Sequence, residues 1–343
     1  ADSKIASALA LRLKLMSGLD ISEKRLPQDG RFNVKVRGIQ IDVRMSTMPT
    51  QYGESAVMRL LNQSGGILGL ERIGLPADML GRLRDIIHRP SGMVLVTGPT
   101  GSGKTTTLYA ALDELNTSES KIITVEDPVE YRLPGINQVQ VHEKIDLTFS
   151  RVLRTALRQD PDVILVGEMR DQGTVETGLR AAMTGHMVFS TLHTNDAVST
   201  PIRLLDMGAP RYMVAMSLQV VLAQRLLRLV CENCGEVTQL PPNEHEWMRL
   251  ALGSEADDPQ YRKGRGCTQC NGTGYLGRTG VYEMLEMTRP VVEAANQPDP
   301  ATFMQAARKQ MDGHMLKDHA VELVVQGKTT VGEAMRIGSQ LDD

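Results

Sequence analysis

The chain of 343 residues is long enough for two domains and a smaller module, since one domain usually takes about 100–200 residues. Its formal charge of −3 and its 3% aromatic content exclude the strongly basic, aromatic-rich surface of a typical nucleic-acid-binding protein. No stretch approaches the roughly 18–20 consecutive apolar residues of a membrane span, and the first residues lack the layout of a secretory signal. We therefore expect a cytoplasmic protein without direct membrane insertion, and, because it opens on Ala1, a fragment of a longer chain.

The first 63 residues carry the pattern of a small α/β domain. Helical spacing runs over 4–17, and alternating β-type runs follow at 31–37, 39–45 and 54–61. The glycines Gly65 and Gly66 then begin a linker, which together with an amphipathic helix over 77–88 occupies residues 64–89.

From Met93 onward, short and wholly apolar strands alternate with helices. Such strands typically form a parallel sheet that helices cover on both faces. We therefore predict a RecA-like α/β core over residues 90–228 that ends in a long helix over 212–229, and a C-terminal helical subdomain over 285–343. The predicted strands span 93–97, 122–125, 163–166 and 187–190, and the C-terminal helices lie around 300–311, 314–326 and 329–338.

A glycine-rich run between the first of these strands and the helix over 105–115 predicts a phosphate-binding P-loop. Its glycines let backbone N–H groups turn toward phosphate oxygens, and the helix that follows presents its positive dipole end. Lys104 is expected to reach the β- and γ-phosphates, and the Thr105 hydroxyl to bind Mg²⁺, so ATP and magnesium are the predicted ligands. The predicted nucleotide-binding residues are Gly98, Pro99, Thr100, Gly101, Ser102, Gly103, Lys104, Thr105 and Thr106.

Hydrolysis also needs a carboxylate near magnesium and a group that positions the attacking water. The apolar strand that begins after Pro161 ends in Glu168, the arrangement of a Walker B strand. Gly167 stands where a magnesium-binding Asp is common, so Glu168 is expected either to hold magnesium, directly or through water, or to act as the base.

Two further polar segments follow neighbouring strands. The acidic residues Glu126, Asp127 and Glu130 come at the carboxyl end of a strand, where open α/β sheets bind ligands; a solvated acidic loop is the alternative. His193 follows the last apolar strand and is expected to lie near the γ-phosphate, whereas His186, before that strand, fits a structural residue better.

All four cysteines occur in two Cys-x-x-Cys pairs, a spacing typical of a tetrahedral thiolate site. In a cytoplasmic protein this favours structural zinc over disulfides, with redox-active dithiols or free thiols as alternatives. We predict a zinc module over residues 229–284, whose ligands are Cys231, Cys234, Cys267 and Cys270.

Four blocks in this order resemble those of the type II secretion and type IV pilus assembly ATPase superfamily: a Walker A motif, an Asp box (123–130), a Walker B motif (158–171) and a His box (185–193). Further similar segments, including Arg225, Arg278 to Gly280 and Glu283, extend the resemblance over the whole chain. The paired cysteines favour the assembly type. The amino-acid sequences of 122–132 and 152–157 look most like those of the ATPase of mannose-sensitive haemagglutinin type pili, with the type II secretion ATPase a close second.

The resemblance implies a hexameric motor that drives pilus assembly through an inner-membrane platform protein, and a PAS-like first domain. It makes Glu130 the candidate base, Glu168 the magnesium-side carboxylate, and Arg44 and Arg59 residues that reach the nucleotide phosphates when the domains close. Without it, both arginines fit solvent-facing strand charges. A nucleic-acid translocase and a nucleotide-gated regulatory protein are the alternatives from other classes.

Overall fold

The computed structural model describes residues 3–62 and 67–339. The chain divides into two compact units, Ala1–Ile67 and Leu68–Asp343. The predicted linker glycines, Gly65 and Gly66, lie outside the described residues.

The first unit is one helix and a three-stranded antiparallel sheet in the order β1-β2-β3. In the middle of the central strand the alternate residues Val43, Met45 and Thr47 are buried, as expected for a sheet with one covered face. The predicted helix and strands are confirmed, with strands longer than expected. They are α1 (Ser3–Met16), β1 (Gln28–Val36), β2 (Ile39–Thr50) and β3 (Gly53–Asn62).

The second unit alternates helices and strands around a large sheet. Its first elements are α2 (Ala77–Ile87), β4 (Gly92–Thr97), α3 (Lys104–Leu115), β5 (Ile122–Glu126), β6 (Asn137–Gln140), α4 (Phe149–Ala156), β7 (Val163–Val166), α5 (Gln172–Met183), β8 (Met187–Leu192), α6 (Ser199–Asp206) and α7 (Arg211–Ser217). The remaining elements are β9 (Leu218–Val230), β10 (Gly235–Val237), α8 (Pro242–Leu252), β11 (Arg262–Gly264), β12 (Tyr275–Glu286), α9 (Arg289–Ala295), α10 (Pro300–Gln310), α11 (Leu316–Val325) and α12 (Val331–Ser339).

The large sheet has seven strands in the order β12-β9-β4-β8-β7-β5-β6. Neighbours from β9 to β6 run parallel, whereas β12 is antiparallel to β9, so the sheet is mixed and not wholly parallel as expected. Every residue of β4, β7 and β8 is buried, which explains their continuous apolar sequences. The predicted α/β class is confirmed.

The long helix predicted over 212–229 is wrong. Helix α7 ends at Ser217, and the chain continues as β9 between β4 and β12. A strand paired on both sides and buried on both faces has no alternating pattern, and an apolar run of this kind does not separate a buried strand from a buried helix. The β-branched pair Val220 and Val221 was the local signal for a strand.

The C-terminal helices α9 to α12 pack onto the β9–β12 side of the sheet. Phe303 and Leu316 from these helices share one apolar core with Val221 and Leu285 from the two strands. The three predicted C-terminal helices are confirmed. Residues 275–284, expected within the zinc module, and 285–286, expected in the C-terminal helical subdomain, belong to the large sheet.

Because β9 is a buried central strand, we expect Leu222→Ala to lower the free energy of unfolding by about 2–5 kcal/mol, through lost burial and a residual cavity. Leu222 is fully buried, whereas Leu250 on α8 is 77% exposed and supplies the matched control, Leu250→Ala. Urea denaturation followed by circular dichroism measures both. Equal losses in the two variants would contradict the placement of residues 218–230 in the sheet.

Candidate active site

The P-loop has the backbone geometry predicted for a phosphate site. Gly98 has φ of 141°, and a side chain there would place its Cβ 2.4 Å from the carbonyl oxygen of Gln224. Helix α3 begins at Lys104, and the first N–H groups of a helix have no acceptor within that helix. The loop over 98–103 therefore leads directly into the positive end of α3, which suits an anion.

The Lys104 side chain folds back over the loop that precedes it in the sequence. Its Nζ donates to the carbonyl oxygens of Gly98 at 2.7 Å and Pro99 at 3.1 Å. Burial, followed by the nearby positive charge of Arg225, lowers the pKa of Lys104 to about 8. The amine is thus held beside the loop in an environment that disfavours its charge, which an anionic ligand would offset. Thr105 and Thr106 occupy the first turn of α3.

Gln224 on β9 supports the P-loop from below, a role that the sequence did not reveal. Its amide nitrogen donates to the carbonyl oxygen of Ser102 at 2.7 Å, and its amide oxygen accepts from the Thr107 hydroxyl at 2.8 Å. Gln224 is only 1% exposed, so these bonds also satisfy its own buried polar atoms. One side chain therefore joins the loop, α3 and the sheet.

The carboxyl ends of β4, β8 and β7 adjoin in the sheet and carry the P-loop, His193 and Glu168 respectively. Glu168 forms an ion pair with Arg170, and one of its oxygens lies 3.2 Å from His193 Nε2. Burial lowers the pKa of His193, and the charges of Lys104 and Arg170 lower it further. A neutral imidazole donating from Nε2 to the carboxylate fits this arrangement.

Gly167 lies close against the neighbouring strand β5. A Cβ at Gly167 would lie 3.1 Å from the carbonyl oxygen of Val125 and 3.3 Å from the Cα of Glu126, on the neighbouring strand. A side chain there would need β5 to shift by a few tenths of an ångström. The carboxylate at the end of β7 falls on Glu168.

The acidic segment after β5 divides into residues with different environments. Glu126 is buried and accepts hydrogen bonds from Tyr109, Thr124 and, at 3.3 Å, Gln138, so its oxygens serve the fold. Asp127 is exposed and lies 3.5 Å from Arg170. Glu130 is half-buried, and its N–H donates to the Tyr109 hydroxyl at 3.3 Å.

Tyr109 is another residue that the sequence did not single out. Its hydroxyl contacts both Glu126 and the backbone of Glu130, and burial followed by the charge of Glu126 raises the pKa of Tyr109 well above its usual range. It therefore stays a neutral donor. Tyr109 on α3, the helix that follows the P-loop, thus fixes the segment that carries Glu130.

The two predicted first-unit arginines lie directly opposite each other, Arg44 on β2 and Arg59 on β3. Arg31 on β1 faces Arg44 from the other side, so three arginines form a row across the sheet. Their role toward a nucleotide stays a prediction. His186 precedes β8, at the end of that strand opposite to Glu168, and its Nδ1 lies 3.1 Å from the carbonyl oxygen of Ala181.

The four cysteines converge on one point, as predicted. All four sulfur atoms lie within 4.8 Å of one another, with separations of 3.9 Å for Cys231–Cys267, 3.8 Å for Cys234–Cys270 and 3.7 Å for Cys267–Cys270. Zinc–sulfur bonds of about 2.3 Å in a tetrahedron imply sulfur separations of about 3.8 Å. The residues therefore fit a four-thiolate zinc ion.

Backbone groups support this cysteine cluster. The N–H groups of Cys267 and Gly274 each donate to the sulfur of Cys270 at 3.2 Å. A side chain at Gly264 would overlap the Gly274 carbonyl oxygen at 2.0 Å, so glycine lets the two chain segments meet. The two N–H bonds to the Cys270 sulfur favour the thiolate form that a metal requires.

Comparison with known proteins identifies the family of the chain. The model of a family described as "Type II/IV secretion system protein" matches residues 1–336. The chain belongs to this family. Type II secretion system protein E of Aeromonas hydrophila is 45% identical over 97% of the chain, and type II secretion system ATPase E of Vibrio cholerae is likewise 45% identical over 97%. The chain spans 66% of the length of each relative.

Solved structures show similarity over most of the chain. The pilus retraction motor PilT with bound ADP has a TM-score of 0.65 and 32% identity, over 91% of this chain and 78% of that one. The ATPase DotB of Yersinia pseudotuberculosis has a TM-score of 0.71 over 96% and 81%, at 21% identity, and supports the fold alone. In the described part of the chain, no helix is long and apolar enough to cross a membrane.

The lowered pKa of Lys104 predicts that nucleotide affinity falls as pH rises above about 8. Phosphate binds the charged amine, so binding above this pH must first protonate Lys104, and affinity should drop by up to roughly tenfold per pH unit. Titration with a fluorescent ATP analogue between about pH 7 and 9.5 measures this. Lys104→Ala should bind weakly throughout without this dependence, and a flat wild-type profile would refute the prediction.

The cysteine geometry predicts one zinc ion per chain. Cys234→Ser should lose most of the zinc, because a hydroxyl is a much poorer zinc ligand than a thiolate, and should lower the melting temperature. Elemental analysis of the purified protein and differential scanning fluorimetry test this. Thr268 lies between two of the cysteines but contributes no sulfur, so the control variant Thr268→Ser should retain zinc. Zinc-free wild-type protein with four titratable thiols and unchanged stability would argue for free cysteines.

Proposed function

We propose that the chain is an ATPase that converts ATP and water to ADP and phosphate. The arrangement at three adjoining strand ends supports this: a P-loop at the end of β4, and the joined pair His193 and Glu168 at the ends of β8 and β7. A phosphate held by the loop would lie at the edge of the sheet that also presents the carboxylate. Binding and hydrolysis would thus share one site.

Residues of the P-loop and α3 would bind the triphosphate. The N–H groups at the start of α3 would receive phosphate oxygens, and Lys104 would leave the carbonyl oxygens of Gly98 and Pro99 for the β- and γ-phosphates. Thr105 and Glu168 would hold magnesium, which neutralises developing charge on the transferred phosphoryl group when bound. The ligand carboxylate is already oriented by Arg170 and His193.

Glu130 is the proposed base that aligns the attacking water. It lies after β5, next to β7 in the sheet, and the Tyr109 hydroxyl holds its backbone. His193, kept neutral by its surroundings, would respond to the γ-phosphate through its bond to Glu168. Glu168 itself remains the alternative base. We further propose that Arg44 and Arg59 contact the nucleotide phosphates.

The relatives named above favour type II secretion as the process served, and pilus assembly of the mannose-sensitive haemagglutinin type remains the alternative. We propose that the chain works as a homo-hexamer on the cytoplasmic side of the inner membrane, where it acts on a membrane platform protein. The 45% identity to proteins with type II secretion names carries the first choice. The similarity to a pilus retraction motor supports a pilus process as the alternative.

The ATPase proposal is tested by phosphate release from the purified chain. Glu168→Gln and Glu130→Gln should each retain nucleotide binding but lower kcat by about 100-fold or more, the scale of a general base or a transition-state charge contact. Lys104→Ala should lose binding as well. The matched control Glu119→Gln changes an exposed carboxylate in the loop after α3 and should behave as wild type.

Two outcomes would contradict the proposal. Nucleotide binding by the wild type without measurable phosphate release would indicate a nucleotide-gated binding protein, and strong stimulation of turnover by single-stranded DNA would indicate a translocase. Specific activity that rises with protein concentration, in step with assembly seen by size-exclusion chromatography with light scattering, would support the hexamer. Deletion of the corresponding gene followed by assays of secretion and of surface pili would separate the two processes.

A further inference from the structure

Arg225 on β9 is a buried charge that lies beside the P-loop and bonds to the loop after β8. Only 3% of it is exposed, and its guanidinium donates to the carbonyl oxygen of Asn195 at 2.8 Å and to that of Gln224 at 3.3 Å. The same group lies beside Gly98, where a Cβ would be 3.3 Å from its Nη1. Its Nε is buried and makes no hydrogen bond to the described residues. Arg225 therefore touches two parts of the phosphate site at once.

Glu283 on β12 continues this connection toward the C-terminal helices. It is 1% exposed, and its two oxygens accept from different segments: the N–H of Ala197 at 2.6 Å and the N–H of Leu316 at 3.1 Å. Leu316 is the first residue of α11, so the carboxylate also faces the positive end of that helix. One side chain joins the loop after His193 to α11.

The two side chains share one face of the sheet. In the register of β9 and β12, Arg225 pairs with Val281 and Ala223 pairs with Glu283, so Glu283 is a diagonal neighbour of Arg225. Burial lowers the pKa of Arg225, and the charge of Glu283 opposes this effect, with a smaller contribution from Asp196. A buried arginine and a buried glutamate thus hold the loop 194–197 from two sides.

We propose that Arg225 and Glu283 are positioning residues that transmit the state of the phosphate site to α11. This rests on the proposed binding of nucleotide at the P-loop. When phosphate draws Lys104 and His193 toward itself, the loop after β8 moves with His193. Glu283 then moves the start of α11, because the same carboxylate holds both segments.

The test is hydrogen–deuterium exchange with a non-hydrolysable ATP analogue and Mg²⁺. In the wild type, nucleotide should slow exchange in peptides covering 193–199 and also in those covering 314–322. In Glu283→Gln, the amide offers one acceptor oxygen where the carboxylate has two, so protection should persist at 193–199 and disappear at 314–322. We also expect kcat to fall roughly tenfold, because a hydrogen bond to a charged group is lost, while the nucleotide Kd stays within about twofold.

Glu286→Gln is the matched control. Glu286 lies three positions along β12 and pairs with Arg82 at 2.7 Å, outside this connection, so its variant should keep nucleotide-dependent protection in both regions. Arg225→Lys provides a second variant if Glu283→Gln does not fold, because a single amine cannot reproduce the planar contact with both carbonyl groups. It should reduce the nucleotide response of α11 in the same way.

The outcomes separate this inference from the proposed function. Nucleotide protection at 98–106 and 193–199 without any at 314–322 in the wild type would overturn the transmission and leave nucleotide binding intact. Equal protection of α11 in wild type and Glu283→Gln would also overturn it. A protein that binds nucleotide without hydrolysing it should still show protection at 314–322, so this inference is testable even if the ATPase proposal fails. No protection at the P-loop would reject the proposed function and this inference together.

Discussion

Two polar side chains buried in the middle of β9 constrain the site around them. Gln224 and Arg225 are almost fully enclosed between β4 and β12, where unpaired polar atoms are costly. Their partners lie at Ser102 in the P-loop and Asn195 after β8. Since neither side chain can turn to solvent, the two loops must sit where these hydrogen bonds place them. The geometry of the phosphate site therefore depends on a strand that contributes no predicted ligand.

This dependence explains which parts of the site were predictable. A P-loop is read from local sequence, because its glycines, lysine and following helix are contiguous and each serves the same phosphate. The paired cysteines were equally clear, because metal ligands leave a fixed spacing. Gln224 and Tyr109 were not found, since each hydrogen-bonds to a segment that is distant in sequence. Only the strand order brings such partners together.

The fold shows the same contrast. Strands β4, β5, β7 and β8 were predicted to within two residues, because helices separate them and glycine or polar residues bound them. The interpretation of residues 212–229 as a helix was wrong because burial on all sides removes the alternation that distinguishes a strand. β12 was also missed as a member of the sheet, since its pairing with β9 spans the whole cysteine region. Both errors arose from non-local strand pairing, which the hydrophobic periodicity of a local segment cannot detect.

The two pairs of charged side chains around the phosphate site differ in how deeply they are buried. Glu168 and Arg170 lie at the carboxyl end of β7, where Glu168 is mostly buried but Arg170 is half exposed, so Arg170 can turn away when a metal and a phosphate arrive. Glu283 and Arg225 lie deeper, and their hydrogen bonds go mainly to backbone groups, which move only with their segments. A half-exposed side chain can exchange partners at low cost, whereas a buried pair must carry its partners along. The outer pair is thus suited to chemistry, and the inner pair to transmitting its result.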